Sequence, residues 1–215
     1  LILAGTVDDP AIANIVELVR TKVMPNSDGR IVREDVLKRF GVSSEKDLFP
    51  APPEFENIDN AIKRKQHDKI LNSILEESSP IIIHAGGGVG KSIVAIQLAK
   101  SLPIGSLGIV YDCFGGGKYR NRSETRHRHR DALIQIANEL ASYGLCPPLI
   151  AGTSTEDQIM RKFLISLNSS ITKIRQINND AILAIFIDAA DNAEMAAQEF
   201  NQSCFAHELL REKMP

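Results

Sequence analysis

The stretch His84-Ala85-Gly86-Gly87-Gly88-Val89-Gly90-Lys91-Ser92 combines residue types suited to holding a polyanion. Glycines let the backbone curl so that its N–H groups turn inward and form a nest for phosphate oxygens. A helix starting at Lys91 adds the positive end of its dipole. Lys91 can then reach β- and γ-phosphates, and the Ser92 hydroxyl can ligate Mg²⁺. The pattern GxxxxGK[ST] asks for glycine at position 85, where this chain has Ala85. A methyl there is a small cost at negative φ, and Gly86 to Gly88 keep the neighbouring freedom. A glycine-rich turn before an amphipathic helix is the plainer alternative. Lys-Ser directly after glycine at a strand-to-helix junction favours a bound nucleoside triphosphate. The residues assigned to it are Gly86, Gly87, Gly88, Val89, Gly90, Lys91, Ser92 and Ile93.

A triphosphate-bound Mg²⁺ needs a further hard oxygen ligand, and the run Ile182-Leu183-Ala184-Ile185-Phe186-Ile187-Asp188 offers one. An apolar strand there would deliver Asp188 at its C-terminal end, where ligands of open α/β sheets bind. Ser92 and Asp188 are therefore the expected metal pair. An acid that merely opens a loop is the competing reading of Asp188. Hydrolysis also needs a group to orient water. Ala189 follows Asp188, and the next acids are Asp191 and Glu194; Asp191 lies closer to the strand end and is the candidate, against a structural loop acid. Lys91, Asp188 and Asp191 form the expected catalytic set, and this weak base assignment implies slow turnover.

The elements needed to position these groups are legible around them. Ile81-Ile82-Ile83 reads as a short strand covered on both faces, followed by a helix over 91–101. A second apolar strand spans Leu107 to Asp112, and a third spans Ala181 to Ile187 and ends at Asp188. Helical patterns cover 132–143 and 156–167. Strands alternating with helices imply a parallel sheet with right-handed crossovers. Upstream, Ile12, Ile15, Val16 and Val19 mark one helix, Arg33 to Phe40 a second, and Asp59 to Glu77 a third. Pro50, Pro52 and Pro53 hold the chain extended between them. The expected organisation is a small helical element over 1–50 and an α/β domain over 51–215.

Size and composition agree with that organisation. A chain of 215 residues and 23.6 kDa can bury about 70% of its unfolded surface. Hydrophobic residues at 43% and charged residues at 24% exclude a mostly disordered chain. The balance of 25 basic and 27 acidic residues, net −2, excludes a polycation that coats nucleic acid. Cys113, Cys146 and Cys204 have neither the number nor the spacing of a disulfide framework or zinc site, which points to the cytoplasm. No apolar run approaches the roughly 20 residues that span a bilayer, so no membrane partner is expected. The chain begins at Leu1 with no basic leader and stops just after a helix-like stretch, which reads as an excerpt of a longer polypeptide.

The loop HAGGGVGKS, the strand end FIDAADNAE and the upstream stretch DLFPAPP resemble the STAND class of P-loop NTPases, relatives of NACHT and NB-ARC proteins. The segment from Tyr111-Asp112-Cys113-Phe114-Gly115 through Arg126-His127-Arg128-His129-Arg130-Asp131-Ala132-Leu133 is similar to a block in large bacterial members that act in antiphage defence. The resemblance covers roughly residues 45–200. It implies a three-layer P-loop NTPase domain with a parallel central sheet, binding ATP or ADP with Mg²⁺. It also implies a switch that couples sensing to homo-oligomerisation and effector activation, with effector and sensor domains outside this excerpt. ATP over GTP rests on the resemblance, since no NKxD motif occurs. In that family an arginine before the helix preceding the P-loop strand helps hold the nucleotide. Arg64 matches that position loosely, with a solvated helix charge as the equal alternative.

Residues 114–130 carry Lys118, Arg120, Arg122, Arg126, Arg128 and Arg130 against Glu124, a local charge of +5. Three readings compete: a solvated or intramolecular role, contact with a phosphate or an adjoining subunit's acidic face, and nucleic-acid binding with Tyr119 and Phe114 as stacking partners. The last would make the chain a nucleic-acid-handling ATPase of the helicase-loader kind. A non-hydrolysing adaptor propped by nucleotide is a third functional class. His127 and His129 have HxH spacing but lack a third metal ligand.

Overall fold

Two six-residue apolar runs, each closed by an aspartate, form the sheet. In the computed structural model, which describes residues 10–55, 62–77, 79–212 and 214, β1 (Leu107–Asp112) pairs in parallel with β2 (Leu183–Asp188). The register runs from Leu107 opposite Leu183 to Asp112 opposite Asp188, so both acids leave the same end of the sheet side by side. Parallel pairing demands a long crossover, and α5 (His129–Ser142) with α6 (Glu156–Ile177) supplies it. Thr155 caps α6: its hydroxyl accepts from the Gln158 N–H while Gln158 Oε1 accepts from the Thr155 N–H.

Alternation along β1 sends Ile109 and Tyr111 into the main core beside Leu133, Ile136 and Phe163. Gly108, just before Ile109, lies against α4 (Lys91–Lys100), where a Cβ would stand 2.7 Å from the Cα of Ala99. That absent methyl lets the helix that begins at Lys91 lie directly on the sheet. The stretch 48–54 docks on α5 and the end of β1. Asn138 Nδ2 donates to the Leu48 carbonyl at 2.7 Å, the Ala51 N–H to Gln135 Oε1 at 3.0 Å, and the Glu54 N–H to Asp112 Oδ2 at 2.9 Å.

Upstream, α1 (Pro10–Lys22) and α2 (Arg33–Arg39) pack on each other, with Asn14 Nδ2 donating to the Arg39 carbonyl and Lys22 bridging Asp28 and Asp35. The third helix, α3 (His67–Glu76), is shorter than expected; residues 62–66 are not helical, and Asp59 lies outside the described residues. Past β2 come α7 (Ala190–Glu199), for which the sequence offered no expectation, and α8 (Phe205–Leu209), in the helix-like stretch before residue 211.

One expectation fails. Ile81, Ile82 and Ile83 are not a strand covered on both faces: they are 40%, 79% and 45% exposed, and no described residue's backbone bonds to theirs. β-branched residues suit a pleated surface, but a strand exists only through its ladder. His84, expected to end that strand, is likewise exposed. The observed architecture is mixed helix and strand around a two-stranded parallel sheet.

Candidate phosphate-binding site

The glycine loop adopts the backbone that its composition allows. Gly88 and Gly90 have φ of 70° and 86°, left-handed values that favour glycine, and Gly90 caps α4 in that conformation. At Gly86, Gly87 and Gly88 the space a Cβ would occupy is open. Lys91 folds back over the loop, its Nζ donating to the carbonyls of Ala85 at 2.9 Å and Gly86 at 3.0 Å. Arg64 comes to the same place: its Nη2 lies 3.4 Å from where a Cβ on Gly90 would be. Ile93 packs under Gly90, its Cδ1 3.8 Å from that same position, and Val89 is exposed.

Asp188 meets this loop from the sheet. Its carboxylate accepts from the Ser92 hydroxyl and the Ala189 N–H, and lies in the field of Lys91. Burial pushes its pKa up and the charge of neighbouring Asp112 adds to that, while the three donors and cations oppose it. A carboxylate held above its ordinary value, beside a hydroxyl and an ammonium, is a group whose charge lacks full compensation.

Asp112 is the contrasting case. It is 2% exposed, and its oxygens accept from the N–H groups of Phe114, Gly115 and Glu54, each at 2.9 Å, with Arg126 Nη1 at 3.7 Å. That many donors satisfy a carboxylate. Asp112 is therefore structural, and Asp188 is the strand-end acid with lone pairs to spare. Ser92 and Asp188 together present hard oxygen donors of the kind Mg²⁺ takes, so the pair fits that ion. Among the described residues no group of three or more His, Cys, Asp or Glu forms a separate metal cluster.

Asp191 sits in the first turn of α7, exposed, with no hydrogen bond or ion pair to a described residue. Between it and Asp188 lies Ala189 at φ 57°, a left-handed alanine that turns the chain from β2 directly into α7. Glu194 is engaged by His207 at 3.5 Å and by Gln198.

Each cation of the 114–130 run has an intramolecular partner. Lys118 bridges Glu54 at 2.9 Å, Arg120 bridges Glu199 at 3.2 Å, and Arg122 lies 5.6 Å from the centroid of the Phe200 ring. Arg128 Nε donates to Gln202 Oε1, and Arg130 donates to the carbonyls of Ser154 and Gly152. Arg126 is 1% exposed; it donates to the carbonyls of Asp112 at 2.8 Å and Pro52 at 2.9 Å, and pairs with Glu54 at 3.2 Å. Gly115 makes room for it, since a Cβ there would fall 2.1 Å from Arg126 Nε. Phe114 and Tyr119 face each other with centroids 5.8 Å apart. His127 and His129 reach different partners, Gln202 and Glu208, and do not converge.

Sequence reasoning missed Asp112 and the Arg126–Glu54 clamp. The signal for Asp112 was present: Leu107-Gly108-Ile109-Val110-Tyr111-Asp112 closes an apolar strand with an acid as the Asp188 strand does. Cys113, Cys146 and Cys204 are free and buried. No described helix is long and apolar enough to cross a membrane. No protein-family model and no curated protein matches the chain.

Proposed function

We propose that this chain is the nucleotide-binding module of a P-loop ATPase of the STAND type, binding ATP or ADP with Mg²⁺. The carrying observation is the convergence of the 85–90 loop, Lys91, Ser92 and the under-compensated Asp188 at the end of the sheet. The N–H groups of Gly86 to Gly90 cradle the phosphates, and Lys91 exchanges two carbonyls for phosphate oxygens, a stronger charge-assisted bond. Arg64 adds a cation beside Gly90. Ser92 and Asp188 hold the Mg²⁺, which neutralises phosphate charge when bound. Asp191, exposed in the first turn of α7, is a weak candidate for orienting water, so the reading is a nucleotide-operated switch with slow turnover. Coupling of that switch to homo-oligomerisation, to effector and sensor domains, and to bacterial antiphage defence belongs to the same proposal. The finer fold does too. Helix α4 is apolar on all sides yet mostly half-buried, and a fuller central sheet taking in Ile81–Ile83 would cover it.

Mg²⁺-dependent binding of a fluorescent ATP analogue tests the reading, with Lys91→Ala as the probe. Loss of one buried charge-assisted contact weakens binding by about 1.5–3 kcal/mol, roughly 10- to 100-fold. Undiminished binding in Lys91→Ala would defeat the proposal.

A further inference from the structure

A concave cleft of 290 Å³ lies between residues 122–128 and the end of α7. Arg122, Thr125, Arg128, Phe200, Asn201 and Gln202 line it, along with Glu199. Its charged lining is two arginines against one carboxylate. Neither Arg122 nor Arg128 has a carboxylate oxygen of a described residue within 4.0 Å, whereas Lys118, Arg120 and Arg126 of the same run each do. The nearby acceptors are already used. Glu199 is taken by Arg120 at 3.2 Å, and the Asp131 carboxylate receives the Thr125 hydroxyl. Gln202 Oε1 accepts from both His127 Nε2 at 2.7 Å and Arg128 Nε at 3.2 Å, which leaves the Gln202 amide N–H groups unspent.

The arrangement is also held in place. Phe200 carries Arg122 over its ring and packs against His127, whose side chain is fully buried, with centroids 5.5 Å apart. Asn201 adopts φ 51°, which bends the chain so that Gln202 meets His127 and Arg128. Two planar guanidinium forks with free N–H groups, plus amide donors, match the oxygens of a tetrahedral dianion. A single carboxylate would leave one of the two charges unanswered. The volume sits at the low end of small-ligand sites, large enough for a phosphate with a modest organic group attached.

We propose that this cleft is a second anion site, which binds a small phosphate monoester of about nucleoside-monophosphate size through Arg122, Arg128 and Gln202. None of its lining residues belongs to the 85–92 loop, so the site stands whether or not that loop binds nucleotide.

The test uses the full chain carrying Lys91→Ala, so that the glycine loop does not contribute, with AMP titrated calorimetrically. Binding tighter than about 1 mM is expected, with inorganic phosphate competing for the same site. Arg122→Ala/Arg128→Ala should weaken AMP binding at least about tenfold. Gln202→Glu, which places a carboxylate against Arg128 in the same cleft, should do the same without lowering the melting temperature. A 5′-phosphorylated oligonucleotide is the comparison ligand. Absence of AMP and phosphate binding, affinity unchanged in these variants, or binding of the oligonucleotide alone would overturn the proposal.

Discussion

Asp188→Asn separates a functional carboxylate from a structural one, because the two roles give opposite signs. The amide keeps the shape and can still accept from Ser92 and Ala189, but it loses the charge that burial and Asp112 make unfavourable. A carboxyl whose folded pKa is raised binds more protons folded than unfolded just above its ordinary value of 3.8, so it costs stability as pH rises through that window. Removing it should stabilise the ligand-free chain by on the order of 0.5–2 kcal/mol at neutral pH, the range seen when a strained functional group is relieved. For a chain of this size that is about 1–8 °C in melting temperature. With Mg²⁺-ATP at 100 times its Kd, the parent chain should gain about 2.7 kcal/mol from binding. Losing one charge-assisted contact of about 1.5–3 kcal/mol would cut that gain to roughly 0.3–1.3 kcal/mol. Scanning calorimetry with and without Mg²⁺-ATP reads both numbers. A variant that melts lower without ligand, or that keeps the full ligand shift, would refute the assignment of Asp188.

Gly108→Ala places a methyl 2.7 Å from the Ala99 backbone and should lower stability by about 1–3 kcal/mol, read by chemical denaturation, while tilting α4 enough to weaken nucleotide binding. Gly115→Ala and Gly29→Ala have similar left-handed φ of 56° and 61°, but only the first meets a side chain. Gly29→Ala should cost about 1–2 kcal/mol from backbone strain, and Gly115→Ala clearly more, because Arg126 must leave its carbonyls; equal losses would show that the guanidinium is not held as described. Burial pushes the Tyr111 phenol and the Cys113 thiol well above their ordinary values of 10.0 and 9.0. The native state therefore keeps protons that the unfolded chain releases. Stability from these groups is full below about pH 9 and falls as pH rises, and Tyr111→Phe should flatten the alkaline arm of a melting profile.

The parts of this structure that sequence revealed are those that local chemistry decides. Leu107–Asp112 was legible as a strand to the residue because an apolar run closed by an acid needs no partner to be recognised. The left-handed turns at Gly88 and Gly90 were legible because glycine takes such φ values without strain. The features that could not be read depend on distant neighbours. Ile81–Ile83 had the composition of a strand, yet its ladder would come from elsewhere. The basic run looked uniform, yet Arg126 is buried because Glu54 and Pro52, some seventy residues earlier, supply acceptors at its tip. Arg64 was suggested by family resemblance alone, since its approach to Gly90 depends on how the chain before α3 turns.

The two strand-end acids differ because the chain turns differently just past each of them. After Asp112, the left-handed Gly115 to Gly117 fold the chain back, so the N–H groups of Phe114 and Gly115 point at the carboxylate and the 48–54 stretch adds a third. After Asp188, left-handed Ala189 turns at once into α7 and offers a single N–H. Asp112→Asn should therefore behave opposite to Asp188→Asn. An amide nitrogen facing backbone N–H groups, with Arg126 losing a countercharge inside the core, should cost about 3–5 kcal/mol. Urea denaturation of the two variants side by side decides the matter. Loss in Asp112→Asn with gain in Asp188→Asn assigns one acid to the fold and leaves the other for a ligand. Equal losses would mean that both aspartates serve the sheet, and the proposed magnesium pair would lose its protein carboxylate.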